Sequence, residues 1–132
     1  KIKLDTNATN LLQIKKLINL NLLDYIAIDF KAPSYKFKKI VGVDMYDNTI
    51  KTIQYLIRID FSFELRTTIN KSLLDENDIN EMIKTISKLG YKKTYYLQNF
   101  LETSSNIGNI SKSSDIDKNK IDCQNLTIQY RN

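Results

Sequence analysis

Histidine is absent from this 132-residue sequence. The commonest general base and the commonest zinc ligand are therefore missing. Cysteine occurs once, at Cys123. That excludes an internal disulfide framework and a cysteine-held iron–sulfur cluster built from this chain alone. No uninterrupted apolar run reaches the roughly 18 residues needed to cross a membrane. No signal peptide is visible, so a cytoplasmic location is the default expectation. Glycine and proline are scarce, at three and one, and Pro33, Gly42 and Gly90 stand out as punctuation. Arginine is scarce too, with three among the 20 basic residues.

What is abundant is isoleucine, lysine and asparagine, at 19, 17 and 14 residues. That bias resembles the output of an AT-rich genome. It also explains most of the net charge of +5 without invoking a polyanionic partner. The lysines are scattered, and arginine, the better bidentate phosphate ligand, is rare. No nucleic-acid partner and no membrane partner is expected. The length suits one domain with a real core. The first residue is Lys1, and Ile2, Lys3 and Leu4 already carry a strand signal, so we expect a piece of a longer protein.

Strand and helix signals alternate. Residues 1 to 5 predict a strand, and 10 to 23 a helix, with Leu11, Ile14, Leu17, Ile18 and Leu22 at helical spacing behind Thr9 or Asn10 as N-cap. Residues 25 to 30 form a nearly continuous apolar run, as in a parallel strand buried on both faces. A short helix over 34 to 41 follows Pro33. Asp47 is the expected cap of a helix over 48 to 58. Residues 61 to 69 predict a third strand. Asp75 caps the next helix, Asp78 lies in its first turn, and Gly90 ends it. Residues 93 to 98 and 125 to 130 predict two more strands, separated by a polar stretch from 102 to 120. Such alternation is the mark of βαβ units and a parallel sheet.

In parallel α/β structures the site lies at the C-terminal strand ends. The first strand ends in Asp5, Thr6 and Asn7, and the second in Asp29 and Lys31. The third carries Glu64, Arg66 and Thr68, and the fourth ends at Gln98, Asn99 and Phe100. Alternation puts Asp29 and Lys31 on one side, and likewise Glu64, Arg66 and Thr68. The acids Asp5, Asp29 and Glu64 are expected to pair with Lys31 and Arg66. Asp5 and Asp29 repel each other unless a cation or a shared proton intervenes. A monovalent cation held by both is one expectation; an ion-pair network that only sets strand register is the plainer one, above all for Glu64. No residue is assigned a catalytic role. A Schiff base on Lys31 is disfavoured by Asp29, which supports the charged amine.

The ordered segments LDTNAT, YIAIDFKAP, IVGV, FELRTTI and YLQNF resemble the C-terminal part of radical SAM activating enzymes. The similarity is to activators of anaerobic ribonucleotide reductase and pyruvate formate-lyase. It covers residues 1 to 100 and the strand ending in Gln129, Tyr130 and Arg131. It implies an α/β fold, the C-terminal half of a partial (β/α)6 TIM-like barrel with parallel strands alternating with helices. The whole chain, 1 to 132, is then one domain: βα units over 1 to 100, a loop or weak helix over 101 to 122, and a terminal strand over 123 to 132.

The resemblance implies that Asp5, Asn7, Asp29, Lys31, Arg66, Thr68, Leu97 and Phe100 surround S-adenosylmethionine (SAM), with Leu97 to Phe100 approaching the adenine. It implies a [4Fe-4S] cluster on an N-terminal part, an electron donor, and a glycyl radical enzyme as partner. The reaction implied for the full protein is reductive cleavage of SAM to a 5′-deoxyadenosyl radical, which takes a hydrogen from a partner glycine. The family's Cys-x3-Cys-x2-Cys motif and Gly-Gly-Glu segment are not in this sequence, and Ala8 replaces the usual glycine after Asp-Thr-Asn. Three family strands would precede Lys1. The chain alone is therefore expected to be inactive. The runner-up reading is a non-enzymatic half-barrel that binds SAM or a protein partner. Cys123 is expected to be a structural thiol, and 102 to 120 a connector.

Overall fold

A computed structural model describes residues 2–99 and 116–131. Phe100 and most of the polar stretch assigned to 102 to 120 lie outside those residues. The described elements are β1 (Lys3–Thr6), α1 (Leu11–Asn19), β2 (Tyr25–Asp29), α2 (Ser34–Val41), α3 (Tyr46–Arg58), β3 (Phe63–Ile69), α4 (Glu76–Lys88), β4 (Thr94–Asn99), a 3-10 turn (Lys118–Lys120) and β5 (Thr127–Arg131).

The five strands pair in the order β1-β2-β3-β4-β5, every pair parallel. Right-handed crossovers between neighbours in sequential order put every helix on one face. A doubly wound sheet would reverse direction from its first strand, and this one does not. The architecture is α/β, with the winding of a partial TIM-like half-barrel.

The register explains the two faces. Ile26, Ile28 and Phe30 share a side with Phe63, Leu65 and Ile69, and with Tyr95 and Leu97. All are buried, and they form one core with Ile53, Leu56, Ile79, Met82, Ile83 and Ile86 from α3 and α4. The other side carries Lys3, Asp5, Tyr25, Asp29, Glu64, Arg66, Thr68, Tyr96, Gln98, Gln129 and Arg131. A sheet apolar on one face and polar on the other thus separates the core from the charged residues.

Helix ends explain where the predicted boundaries moved. Asn10 accepts the Gln13 N–H at 3.1 Å and caps α1 as expected. The helix then stops at Asn19, not at residue 23. Leu22 N–H reaches Leu17 O, Asn21 N–H reaches Ile18 O, and Asn21 adopts φ 56. This is a Schellman closure, and asparagine is among the few residues that tolerate its left-handed position. Leu22, read as part of the apolar stripe, is 45% exposed. The same closure ends α3, through Phe61 N–H to Leu56 O with Asp60 at φ 52, and α4, through Tyr91 N–H to Ile86 O with Gly90 at φ 97. Of these three, only Gly90 is conformationally relaxed. Asp60→Gly is therefore expected to stabilise the fold by about 1 kcal/mol in urea unfolding. A loss would mean that the Asp60 side chain does more than occupy a turn.

One further boundary differs and another holds. Asp47 is not the cap of α3; the helix starts at Tyr46 behind Met45, and Asp47 lies in the first turn, where its charge still meets the helix dipole. At α4 the expectation holds in full: Asp75 and Asp78 form a reciprocal capping box.

Candidate functional site at the strand ends

Strand register brings together Asp5 near the end of β1, Asp29 at the end of β2 and Arg66 in the middle of β3. Arg66 Nε donates to Asp29 Oδ1 at 2.6 Å, and its Nη2 lies 3.6 Å from Asp5 Oδ2. Lys31 Nζ lies 3.5 Å from Asp29 Oδ2, and Lys3 Nζ lies 3.9 Å from Asp5 Oδ1. One guanidinium thus bridges the two acids. Planar, delocalised charge suits it to two carboxylates at once. Burial, the largest influence on Arg66, disfavours its charge, but the Asp29 hydrogen bond and the charges of Asp29 and Asp5 outweigh it and hold the guanidinium protonated above its ordinary value. Among the described residues no group of three or more His, Cys, Asp or Glu side chains is placed to hold a metal.

The β1 end is held in place by α3. Thr49 Oγ1 donates to Asn7 O at 3.0 Å and Thr52 Oγ1 to Ala8 O at 2.8 Å. Both threonines are fully buried. Asn7 itself accepts the Thr9 hydroxyl at 3.0 Å. Ala8 is buried with φ 62, so its backbone adopts a conformation that glycine would reach without strain.

Beside Lys31 and Thr68 lies a cleft of about 140 Å³, walled also by Ile40, Asn70, Leu73 and Leu74. It adds apolar surface to the charged cluster. Leu97 is not brought there. Its side chain is fully buried on the helix-covered face, so only its backbone shares the β4 end with the polar face.

Glu64 was expected to pair with Lys31 and Arg66. It pairs instead with Tyr25, whose hydroxyl donates to Oε1 at 3.0 Å, and with Arg131, whose Nη1 lies 3.0 Å from Oε2. Arg131 also stacks 3.5 Å from the Tyr96 ring centroid. This second network ties β5 to β3 and β2 across the polar face. Its members, Tyr25, Tyr96 and Arg131, were not singled out from the sequence. The only available signal was alternation, which places each of them on the polar side of its strand.

Burial, and then the Glu64 hydrogen bond and charge, push the Tyr25 hydroxyl up to about 12. Burial also raises Tyr91 and Tyr95. An unfolded tyrosine releases its proton near pH 10, whereas these folded ones keep theirs. Their contribution is complete below about pH 10 and is lost as pH rises toward 12 and beyond. The unfolding free energy measured in urea is expected to fall over that window, by at most about 1.4 kcal/mol per pH unit for each such tyrosine, and the midpoint with it. Tyr25→Phe is expected to flatten the early part of the fall. An unchanged midpoint up to pH 12 would contradict the burial of these hydroxyls.

A curated protein of Methanocaldococcus jannaschii, named "putative glycyl-radical enzyme activating enzyme", is 34% identical over 90 residues. This chain is similar to that protein. The match takes in 64% of this chain and 38% of the relative, so the chain spans well under half of the relative's length. No protein-family model matches the chain, and no solved structure does.

The residues fit SAM in kind. A zwitterionic ligand with a carboxylate, an amine, a sulfonium and ribose hydroxyls calls for both signs of charge and for hydroxyl partners. Lys31, Asp29, Asp5 and Thr68 provide them on one face. Lys31, with its side chain 43% exposed, is the freer cation, because Arg66 is already shared by two acids. The cleft of about 140 Å³ is too small for a whole ligand of that size, but not for an aliphatic segment of one. An iron–sulfur cluster does not fit. Cys123 is the single cysteine, it is exposed, and it lies near β5. No helix among the described residues is long and apolar enough to cross a membrane.

Proposed function

We propose that this chain supplies the SAM-facing strand ends of a glycyl-radical enzyme activase whose cluster is carried outside these residues. The observation that carries the reading is the Asp29–Arg66–Asp5 bridge with Lys31 beside it, at the parallel strand ends where α/β sites form. The likeness to the M. jannaschii protein supports it. Bound SAM would supply the group that takes a hydrogen from the partner's glycine.

In this reading Lys31 meets the ligand carboxylate. Asp29 and Asp5 offer acceptors for the amine and offset the sulfonium charge. Thr68 and the β4 end lie toward the adenine. Arg66 is a positioning residue that fixes both acids. The partner is a glycyl radical enzyme, such as anaerobic ribonucleoside-triphosphate reductase or a pyruvate formate-lyase-like protein, with an external electron donor. The chain by itself is inactive, since it lacks the cysteines that bind the cluster.

The test is equilibrium binding of SAM to the chain, followed by calorimetry. Saturable binding that Lys31→Met weakens more than about tenfold supports the reading, because a charge-assisted hydrogen bond is worth about 1.5–3 kcal/mol. Absence of binding, or binding indifferent to Lys31 and Asp29, removes it.

A further inference from the structure

The outer layer of helices carries a second concave site that shares no residue with the strand ends. A cleft of about 390 Å³ lies between α1 and α3, lined by Leu11, Lys15, Lys51, Gln54, Tyr55 and Arg58. Its volume is within the range of small-molecule sites, roughly 300–1,000 Å³. Three of the six lining residues are cationic and none is acidic. Lys15 Nζ sits 4.9 Å, and the Arg58 guanidinium 5.4 Å, from the centroid of the Tyr55 ring. Among the described residues none of the three cations makes a salt bridge.

Lysine alone would mean little in a chain with 17 of them. Arginine is different, since there are only three. Two of them, Arg66 and Arg131, are committed to carboxylates on the polar sheet face. The third, Arg58, stands in this cleft. Spacing explains the convergence: Lys51, Tyr55 and Arg58 lie four and three apart on one stripe of α3, and Leu11 and Lys15 lie four apart on α1. Lys15 and Arg58 repel each other at the Tyr55 ring, and its π face, with the C-terminal end of α3 beside Arg58, offsets them only in part. A multiply charged anion would offset them far better. The guanidinium gives a fork for two oxygens, the lysines give point charges, and Gln54 adds a neutral donor.

We infer that this cleft binds a small polyphosphate-bearing molecule, with Arg58, Lys15 and Lys51 on its phosphates and Leu11 and Tyr55 forming an apolar floor. The probe is inorganic pyrophosphate, titrated into the full chain at about 0.15 M salt and followed by calorimetry. One site with Kd below about 1 mM is expected. Arg58→Gln and, separately, Lys15→Gln should each weaken it at least about tenfold, while the double variant Lys92→Gln/Lys93→Gln should not. Circular dichroism checks that each variant folds, and Lys15→Gln carries the test if Arg58→Gln does not. Three results would overturn the inference. They are no saturation, equal affinity in all variants, and binding that disappears between about 50 and 200 mM salt, which marks diffuse attraction to a basic chain.

Discussion

Asp78→Ala is expected to lower the unfolding free energy by about 2–3 kcal/mol. Asp78 is 3% exposed, yet it is a carboxylate. It survives there because its oxygens are fully engaged. Tyr35 donates its hydroxyl at 2.7 Å, Lys36 forms an ion pair, and the Asp75 N–H donates at 3.0 Å. The Asp78 N–H in turn donates to Asp75 Oδ1 at 2.9 Å. One side chain therefore closes the N-terminus of α4 and fastens α2 to it. Alanine keeps the Asp75 cap on the residue 78 N–H but removes the reciprocal acceptor of the Asp75 N–H, leaves Tyr35 without its acceptor, and leaves Lys36 with only Leu73 O. Lys36 is one-third exposed and Tyr35 61% exposed, so both can turn to water. That keeps the loss below the roughly 3–5 kcal/mol of a fully enclosed pair.

The same contacts set an acid limb. Burial pushes the Asp78 carboxyl up, but the Lys36 and Tyr35 hydrogen bonds outweigh it and hold the pKa below its ordinary value. A depressed carboxyl contributes stability above the unfolded pKa, and that contribution is lost as pH falls through the folded one. Wild type should therefore lose stability below about pH 4, and Asp78→Ala should lose less over the same range. Chemical denaturation at a series of pH values checks both statements. A variant within about 0.5 kcal/mol of wild type would show that α2 and α4 are held by apolar packing alone.

Arg66→Ala is expected to separate binding from stability. Its guanidinium bridges Asp29 and Asp5, whose side chains are 31% and 59% exposed. Water can replace the lost partner, so the stability change should be only about 1–2 kcal/mol. Ligand binding should suffer more. Without the bridge, Asp29 and Asp5 repel, and Lys31 is drawn wholly to Asp29. A loss of SAM affinity greater than about tenfold is expected, with Arg66→Lys recovering part of it, since a lysine restores charge but not the fork. Glu64→Gln is the contrast: it touches Tyr25 and Arg131 and should change stability without changing affinity. Arg66→Ala binding SAM as wild type does would make the bridge a strand fastening and nothing more.

Much of this was legible from local pattern. The apolar run at 25 to 30, the capping pair Asp75 and Asp78, and the glycine at 90 each act within a few residues, so period and propensity reveal them. The gathering of Asp5, Asp29 and Arg66 was also accessible, because parallel strands end on one side and alternation says which side chains share a face. The Schellman ends at Asn21 and Asp60 were missed. A non-glycine residue in the left-handed region leaves a weak signature in composition.

The sequence by itself determined the alternation of strand and helix, the faces of each element, and the shortage of cysteine that keeps a cluster off this chain. Only the tertiary structure decided who pairs with whom. Glu64 meets Arg131 across 67 positions, Thr52 meets Ala8 across 44, and Asp78 meets Lys36 across 42. Those distances close through strand register and helix packing, which depend on all the elements at once. A charge in a sequence announces that it needs a partner, but the choice among partners is made by geometry that no local window contains.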